Sequence, residues 1–285
     1  MILKIKMLIH ERNCLTLVPV GGLGNRLLAL FSAVHLISIG VFDSLRVLWE
    51  VCQECNIAFE DIGTINIPHE MIIYCKPPRN REILNQLFPY FDGQIITTCT
   101  NFSCSTPWLG CAQKHIGGIH QRFAECICPR CSFEFNNANL FQFAEKHYQK
   151  ANTIDVSGRI GIHCRRTDWP HNGEIEEGYM KFTASDNKMI NYTNSITDKL
   201  FIATDSPYTL AHLRTAVGNR LIHYPKHHYP IYSGEMKPIE RSANCVSDAI
   251  IDIILLSRCT QIVADSTSTF PTISGILGNI NINII

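Results

Sequence analysis

The chain has 285 residues, 46% hydrophobic and 18% charged, a balance that excludes a disordered protein and allows one large domain or two of ordinary size. Its formal net charge is +0, so bulk electrostatics point to no nucleic-acid or anionic-membrane surface, and any polyanion site must be local. The 13 cysteines, an odd number with no secretory signal before them, lead us to expect reduced thiols and a cytosolic protein.

In chain order, Leu15–Val20 reads as a short apolar strand that runs into Gly21-Gly-Leu-Gly-Asn-Arg26. A helix is expected over Leu27–Ile39, from apolar residues at three-and-four spacing, with Gly40 as its stop. Leu45–Glu50 is a second strand, so this strand–turn–helix–strand unit implies parallel pairing. Between about 60 and 150 the signal is weak: Ile95–Thr98 is a candidate strand and Ala138–Lys150 a candidate helix. Arg159–His163 is a buried strand, Lys199–Thr204 another, and Tyr208–Ala216 a helix. Leu221–His223 is a short strand followed by a loop rich in Pro, His and Tyr. Val246–Leu256 is a helix with one apolar face, and Gln261–Ala264 a strand before another short helix. Neither the apolar start, Met1–His10, nor Ala249–Leu256 is long enough to cross a bilayer, so no transmembrane segment is expected. The pattern predicts an α/β protein of two nucleotide-fold-like domains facing across a cleft, residues 1–153 and 154–285.

The most telling segment is Gly161-Ile-His-Cys-Arg-Arg-Thr-Asp168. Two arginines at the carboxyl end of a strand are poor core material, yet their forked donors suit a pyrophosphate. That end of a strand is also where open α/β sheets bind nucleotides. The alternative is a surface pair bridged to Asp168 or nearby glutamates. Gly21–Arg26 lies where backbone amides and a helix N-terminus favour an anion, or it is simply a tight turn. It lacks the third glycine of a dinucleotide fingerprint, which disfavours an oxidoreductase. The hydroxyl-rich turn Asp265–Thr269 can cap a helix or bind phosphate. Asp248 and Asp252, four apart, mark a solvated helix face, or else Asp252 accepts hydrogen bonds from a guanine edge. His223, His227 and His228 fit a mobile lid better than a metal site. Cys52, Cys55, Cys126, Cys128 and Cys131 have spacings a structural zinc would accept, but reduced thiols in loops and core are the favoured reading. The Asn101 and Asn191 glycosylation patterns are read as chance.

Together these places resemble the superfamily of GDP-fucose-dependent fucosyltransferases. That superfamily includes the α1,6-enzymes of core N-glycan fucosylation, the rhizobial nodulation enzymes and, more distantly, the protein O-fucosyltransferases, and His163-Cys-Arg-Arg-Thr-Asp168 is similar to the signature of the α1,6 group. Gly21–Arg26 resembles the glycine loop of the protein O-fucosyl and α1,2-fucosyl enzymes, and Phe201–Asp205 the family strand ending in Thr-Asp. Ile251–Ser257 with Asp265–Phe270 resembles its last donor-binding block. The resemblance implies a GT-B fold of two Rossmann-like domains, with the acceptor mainly on the N-terminal half and the GDP-sugar mainly on the C-terminal half. It implies an inverting transfer of L-fucose from GDP-fucose to a glycan or lipid-linked saccharide, without metal or other cofactor. Another nucleotide-deoxysugar as donor, or an inactive GDP-sugar-binding protein, are the alternatives. Arg165 would contact the β-phosphate with Arg166 in support, while His163 and Asp252 would hold guanine and Asp205 would lie near the nucleoside. Ser266, Ser268 and Thr269 would contact phosphates, and Gly22, Gly24, Asn25 and Arg26 would complete the donor side. Glu174, with Glu176 and Glu177 beside it, is the candidate base; Trp169 stands where the α1,6 group carries Lys.

Overall fold

A computed structural model describes residues 14–19, 22–38, 43–74, 95–98, 140–166, 174–176, 179–181, 183–230, 241–265 and 268–285. The chain divides into two compact units, one of Met1–Cys52 with Ala58–Gln142, the other of Gln53–Ile57 with Phe143–Ile285.

In the first unit, β1 (Cys14–Pro19) leads into α1 (Leu23–Ser38) and then β2 (Ser44–Glu50). A one-turn helix α2 (Phe59–Ile62), β3 (Gly63–Ile65), β4 (His69–Tyr74) and β5 (Ile95–Thr98) follow. The sheet runs β4-β2-β1-β5 with every neighbour parallel. The five central residues of β2 are all buried, as befits a parallel strand covered on both faces. Arg46 and Glu70 sit opposite each other in the β2–β4 register and pair at 2.8 Å.

Helix α1 begins at Leu23, four residues earlier than the glycines suggest. Leu23 is buried, and Arg26 N–H donates to Gly22 C=O at 3.2 Å, so core burial draws Gly24, Asn25 and Arg26 into the first turn. The helix expected over Ala138–Lys150 is instead a strand, β6 (Phe141–Phe143), followed by α3 (Glu145–Ala151). Phe141 and Phe143 are buried and Gln142 exposed, a period of two that a helix would not produce.

The second unit is a five-stranded parallel sheet. Its strands are β7 (Ile160–Cys164), β10 (Leu200–Thr204), β11 (Leu221–His223), β12 (Gln261–Ala264) and β13 (Ile282–Ile284). A short antiparallel hairpin, β8 (Glu174–Glu176) with β9 (Tyr179–Lys181), follows β7. The spatial order is β11-β10-β7-β12-β13: the chain moves outward from β7, then returns to its other side. Such a reversal opens a crevice at the carboxyl ends of the two strands that flank it, here β7 and β12.

Helices cover both faces. Met189 of α4 (Thr183–Asn194) and Leu213 and Val217 of α5 (Pro207–Val217) pack with Ile160, Ile162 and Cys164 in one buried cluster. On the opposite face lies α6 (Ala243–Leu256), with α7 (Thr269–Gly278) beside it. Gly161 is the contact point, since a Cβ there would come within 2.8 Å of Leu256 Cδ2. Ser206 caps α5 by accepting from Thr209 N–H at 3.2 Å, and Pro207 opens its first turn, so β10 ends sharply at Asp205.

Candidate functional site

The alternation of β7 decides where the two arginines go. Ile160, Ile162 and Cys164 belong to the α4/α5 face, Gly161 and His163 to the α6/α7 face. Arg165 and Arg166 continue this alternation past the strand end, so neighbouring guanidinium groups part to opposite sides.

Arg166 turns inward. It is 3% exposed, and its Nε and Nη2 donate to Asp186 Oδ1 of α4 at 3.0 and 2.7 Å. Its Nη1 donates to Asp265 Oδ2 and, at 2.9 Å, to the Arg165 carbonyl. Its backbone N–H donates to Asp205 Oδ1 at 2.7 Å, and Thr209 Oγ1 donates to Asp186 at 3.0 Å. Arg166 thus ties the ends of β7, β10 and β12 to helices α4 and α5. Its fork is engaged by the two carboxylates of Asp186 and Asp265, so the support it gives Arg165 runs through the strand end they share.

Arg165 turns the other way, and its Nη1 donates to Ser268 Oγ at 3.3 Å. Ser268 is the N-cap of α7 and also accepts from Phe270 N–H, while Thr269 is the first helical residue and is buried. Arg165 therefore spans the crevice between β7 and β12 and meets a helix N-terminus, where both charge and dipole favour an anion. Burial lowers the Arg165 pKa and Asp205 opposes that shift; the guanidinium remains charged.

His163 is buried and stacks on Phe270, with ring centroids 5.2 Å apart and planes 21° apart. Burial, opposed by Asp205 and aided by Arg165, Arg166 and Lys226, pushes its pKa down to about 3, so the ring is neutral. Among the described residues its Nδ1 has no hydrogen-bond partner. Asp252 of α6 is equally buried and pairs through Oδ2 with Lys226, while its Oδ1 has no hydrogen-bond partner among the described residues. Burial raises the Asp252 pKa to about 6, against the pull of Lys226. The reading of Asp248 and Asp252 as a solvated pair is corrected, because both are buried on α6 and Asp248 faces His228 Nδ1 at 3.9 Å.

Their acid dependences oppose each other. His163 takes a proton near 6.5 unfolded and at about 3 folded, so the native state loses stability as pH falls through that interval. Asp252 takes one at about 6 folded and 3.8 unfolded, so its protonation favours the native state as pH falls from 6. In thermal unfolding between pH 7 and 4.5, His163→Gln should flatten the acid decline and Asp252→Asn should steepen it. Equal acid slopes for the two variants would contradict both assignments.

The glycine loop belongs to the first unit. Arg26 is fully buried and donates to the Glu50 carbonyl and to Cys52 Sγ at 3.0 Å, with its guanidinium 5.1 Å from the centre of the Trp49 ring. It braces the end of β2. Asn25 is buried in the first turn of α1, with Oδ1 lacking a hydrogen-bond partner among the described residues, and Gly22 precedes that turn. Glu174 opens β8, its backbone opposite Lys181. Thr167, Asp168, Trp169, Ser266 and the side chains of Glu174 and Glu176 lie outside the described residues, as do Glu177 and the cysteines at 126, 128 and 131. No group of three or more His, Cys, Asp or Glu among the described residues is placed to hold a metal, and no helix there is long and apolar enough to cross a membrane.

Asp186 and Lys226 are the site residues that motif reading misses. Asp186 lies on a polar helix and looks like any solvated acid. Lys226 lies between Pro225 and His227 in a segment with no periodicity.

The second unit is an open parallel α/β sheet whose order reverses at a crevice carrying Arg165, and the chain's fold is that of solved GDP-fucose fucosyltransferases. It is similar to the crystal structure of NodZ alpha-1,6-fucosyltransferase with GDP, at TM-score 0.54 and 16% identity, covering 94% of this chain and 93% of that one. It is similar to Arabidopsis thaliana FUT1 in complex with GDP (TM-score 0.51, 14% identity, 95% and 70% covered). It is likewise similar to POFUT1 in complex with GDP-fucose (TM-score 0.51, 10% identity, 95% and 98% covered). No protein-family model matches the chain, and no curated protein matches it by sequence.

Proposed function

We propose that this chain is an inverting glycosyltransferase that transfers L-fucose from GDP-fucose to a glycan acceptor without a metal. The observation that carries this is Arg165, reaching from the end of β7 to Ser268 at the N-terminus of α7, on a fold shared with enzymes solved with GDP or GDP-fucose. In such a site the charge that develops on the departing diphosphate meets a guanidinium already in position, together with the amides and dipole of a helix start. Arg166 holds the strand end from which Arg165 projects. Neutral His163 and anionic Asp252 offer acceptors at Nδ1 and Oδ1 for the N–H groups of guanine, and the Phe270 ring beside His163 suits a flat ligand. Glu174 is the proposed base that takes the proton of the acceptor hydroxyl as it attacks the anomeric carbon. The first unit is proposed to carry the acceptor.

A nucleotide panel in thermal unfolding with EDTA tests this reading. GDP at about a hundred times its dissociation constant should add about 2.7 kcal/mol of stability, with ADP, UDP and NAD adding far less. Equal stabilisation by all four, or by none, would sink the assignment of the donor.

A further inference from the structure

Lys226 sits on the loop after β11, outside every motif, yet its side chain is only 10% exposed and that of its partner Asp252 only 3%. Its Nζ donates to the Thr204 carbonyl at the end of β10 at 2.6 Å and pairs with Asp252 Oδ2. The arrangement divides the carboxylate: one oxygen is held, and the other, Oδ1, is buried without a hydrogen-bond partner among the described residues. A buried acceptor in that state calls for a donor. We propose that Lys226 is a positioning and specificity-determining residue for the nucleobase, keeping Asp252 ionised and oriented so that Oδ1 selects guanine, with its adjacent N1–H and N2–H donors, and not adenine, whose N1 is an acceptor. This rests on the GDP-sugar reading above.

Adenine presents an acceptor at N1 where guanine presents N–H, so an ionised Oδ1 attracts one base and repels the other. The ionisation depends on Lys226. Among the described residues, the other charged or titratable groups around Asp252 include Asp248 one turn back on α6, Asp205 after β10 and Tyr224 on the Lys226 loop. Burial, Asp248 and Asp205 all raise the Asp252 pKa, and Lys226 is the cation that opposes them. His227 and His228 act on Asp248, and Tyr229 acts on Lys226. Without the ammonium the Asp252 pKa would rise further, and more of the carboxyl would face the base as a neutral acid.

The test is GDP affinity from pH 5 to 8.5 for the wild type, Lys226→Met and Lys226→Arg, with ADP as control. Wild-type affinity should be constant above pH 7 and fall about tenfold per pH unit below 6. Lys226→Met should bind GDP at least roughly tenfold more weakly at pH 7 and recover toward wild type by pH 8.5, a pH shift that simple loss of packing would not produce. Lys226→Arg should keep the wild-type profile. A flat wild-type profile down to pH 5, or wild-type affinity and midpoint in Lys226→Met, would overturn the proposal. If Lys226→Met does not fold, the wild-type profile and Lys226→Arg decide it. Failure of the wild type to bind GDP at any pH would instead remove the GDP-sugar reading, and this inference with it.

Discussion

Arg165→Ala is expected to turn over GDP-fucose roughly a hundredfold or more slowly than the wild type, the loss typical of a removed charge stabiliser in a preorganised site. The reason is geometric. Arg165 leaves β7 on the α6/α7 face and reaches the α7 N-cap, so its positive charge sits at the β7/β12 crevice, where the proposed function puts the diphosphate. If, as proposed, the guanidinium acts on charge that grows as the bond to the sugar breaks, the loss should fall in kcat and in kcat/KM together, with KM little changed. Arg165→Lys should lie between, keeping the charge without the two-pronged donor geometry. Steady-state kinetics on folded protein measures this. Retention of most activity in Arg165→Ala would remove the leaving-group role.

Arg166→Met should show the largest loss of stability of any single change at the site. The substitution leaves Asp186 and Asp265 buried without their cation, and breaking a buried pair from one side costs about 3–5 kcal/mol. For a unit of this size that corresponds to a melting point lower by roughly 6–20 °C. Activity should fall as well, since the Arg166 fork and backbone N–H fix the strand end that aims Arg165. The double variant Arg166→Met with Asp186→Asn removes one of the stranded charges and should recover part of the stability. Thermal unfolding of both variants decides it, and an Arg166→Met melting point within about 2 °C of wild type would contradict the buried role, being under the shift expected for even 1 kcal/mol.

The sequence makes the strand-end arginine pair legible, but not the different work each residue does. The signal was present: Ile160, Ile162 and Cys164 alternate with Gly161 and His163, and the same alternation sends Arg165 and Arg166 apart. Helix α6, strands β10 and β12 and the turns after them were equally readable, because long apolar runs and a Thr-Asp or Asp-Ser stop mark them. The start of α1 was hidden by its glycines, whose flexibility yielded to the burial of Leu23. Phe141 and Phe143 were absorbed into a helix because Tyr148 follows at helical spacing. Asp186 could not be found locally, since only the folded chain brings α4 under the end of β7. Lys226 and the burial of Asp248 and Asp252 are likewise consequences of packing between segments far apart in the chain.

The most direct measurement is the release of GDP from GDP-fucose by the purified protein in EDTA, with and without glycan acceptors. An acceptor-dependent release of GDP that needs no metal and disappears in Arg165→Ala is the predicted result. Turnover of a UDP- or dTDP-sugar with GDP-fucose left intact would contradict the account.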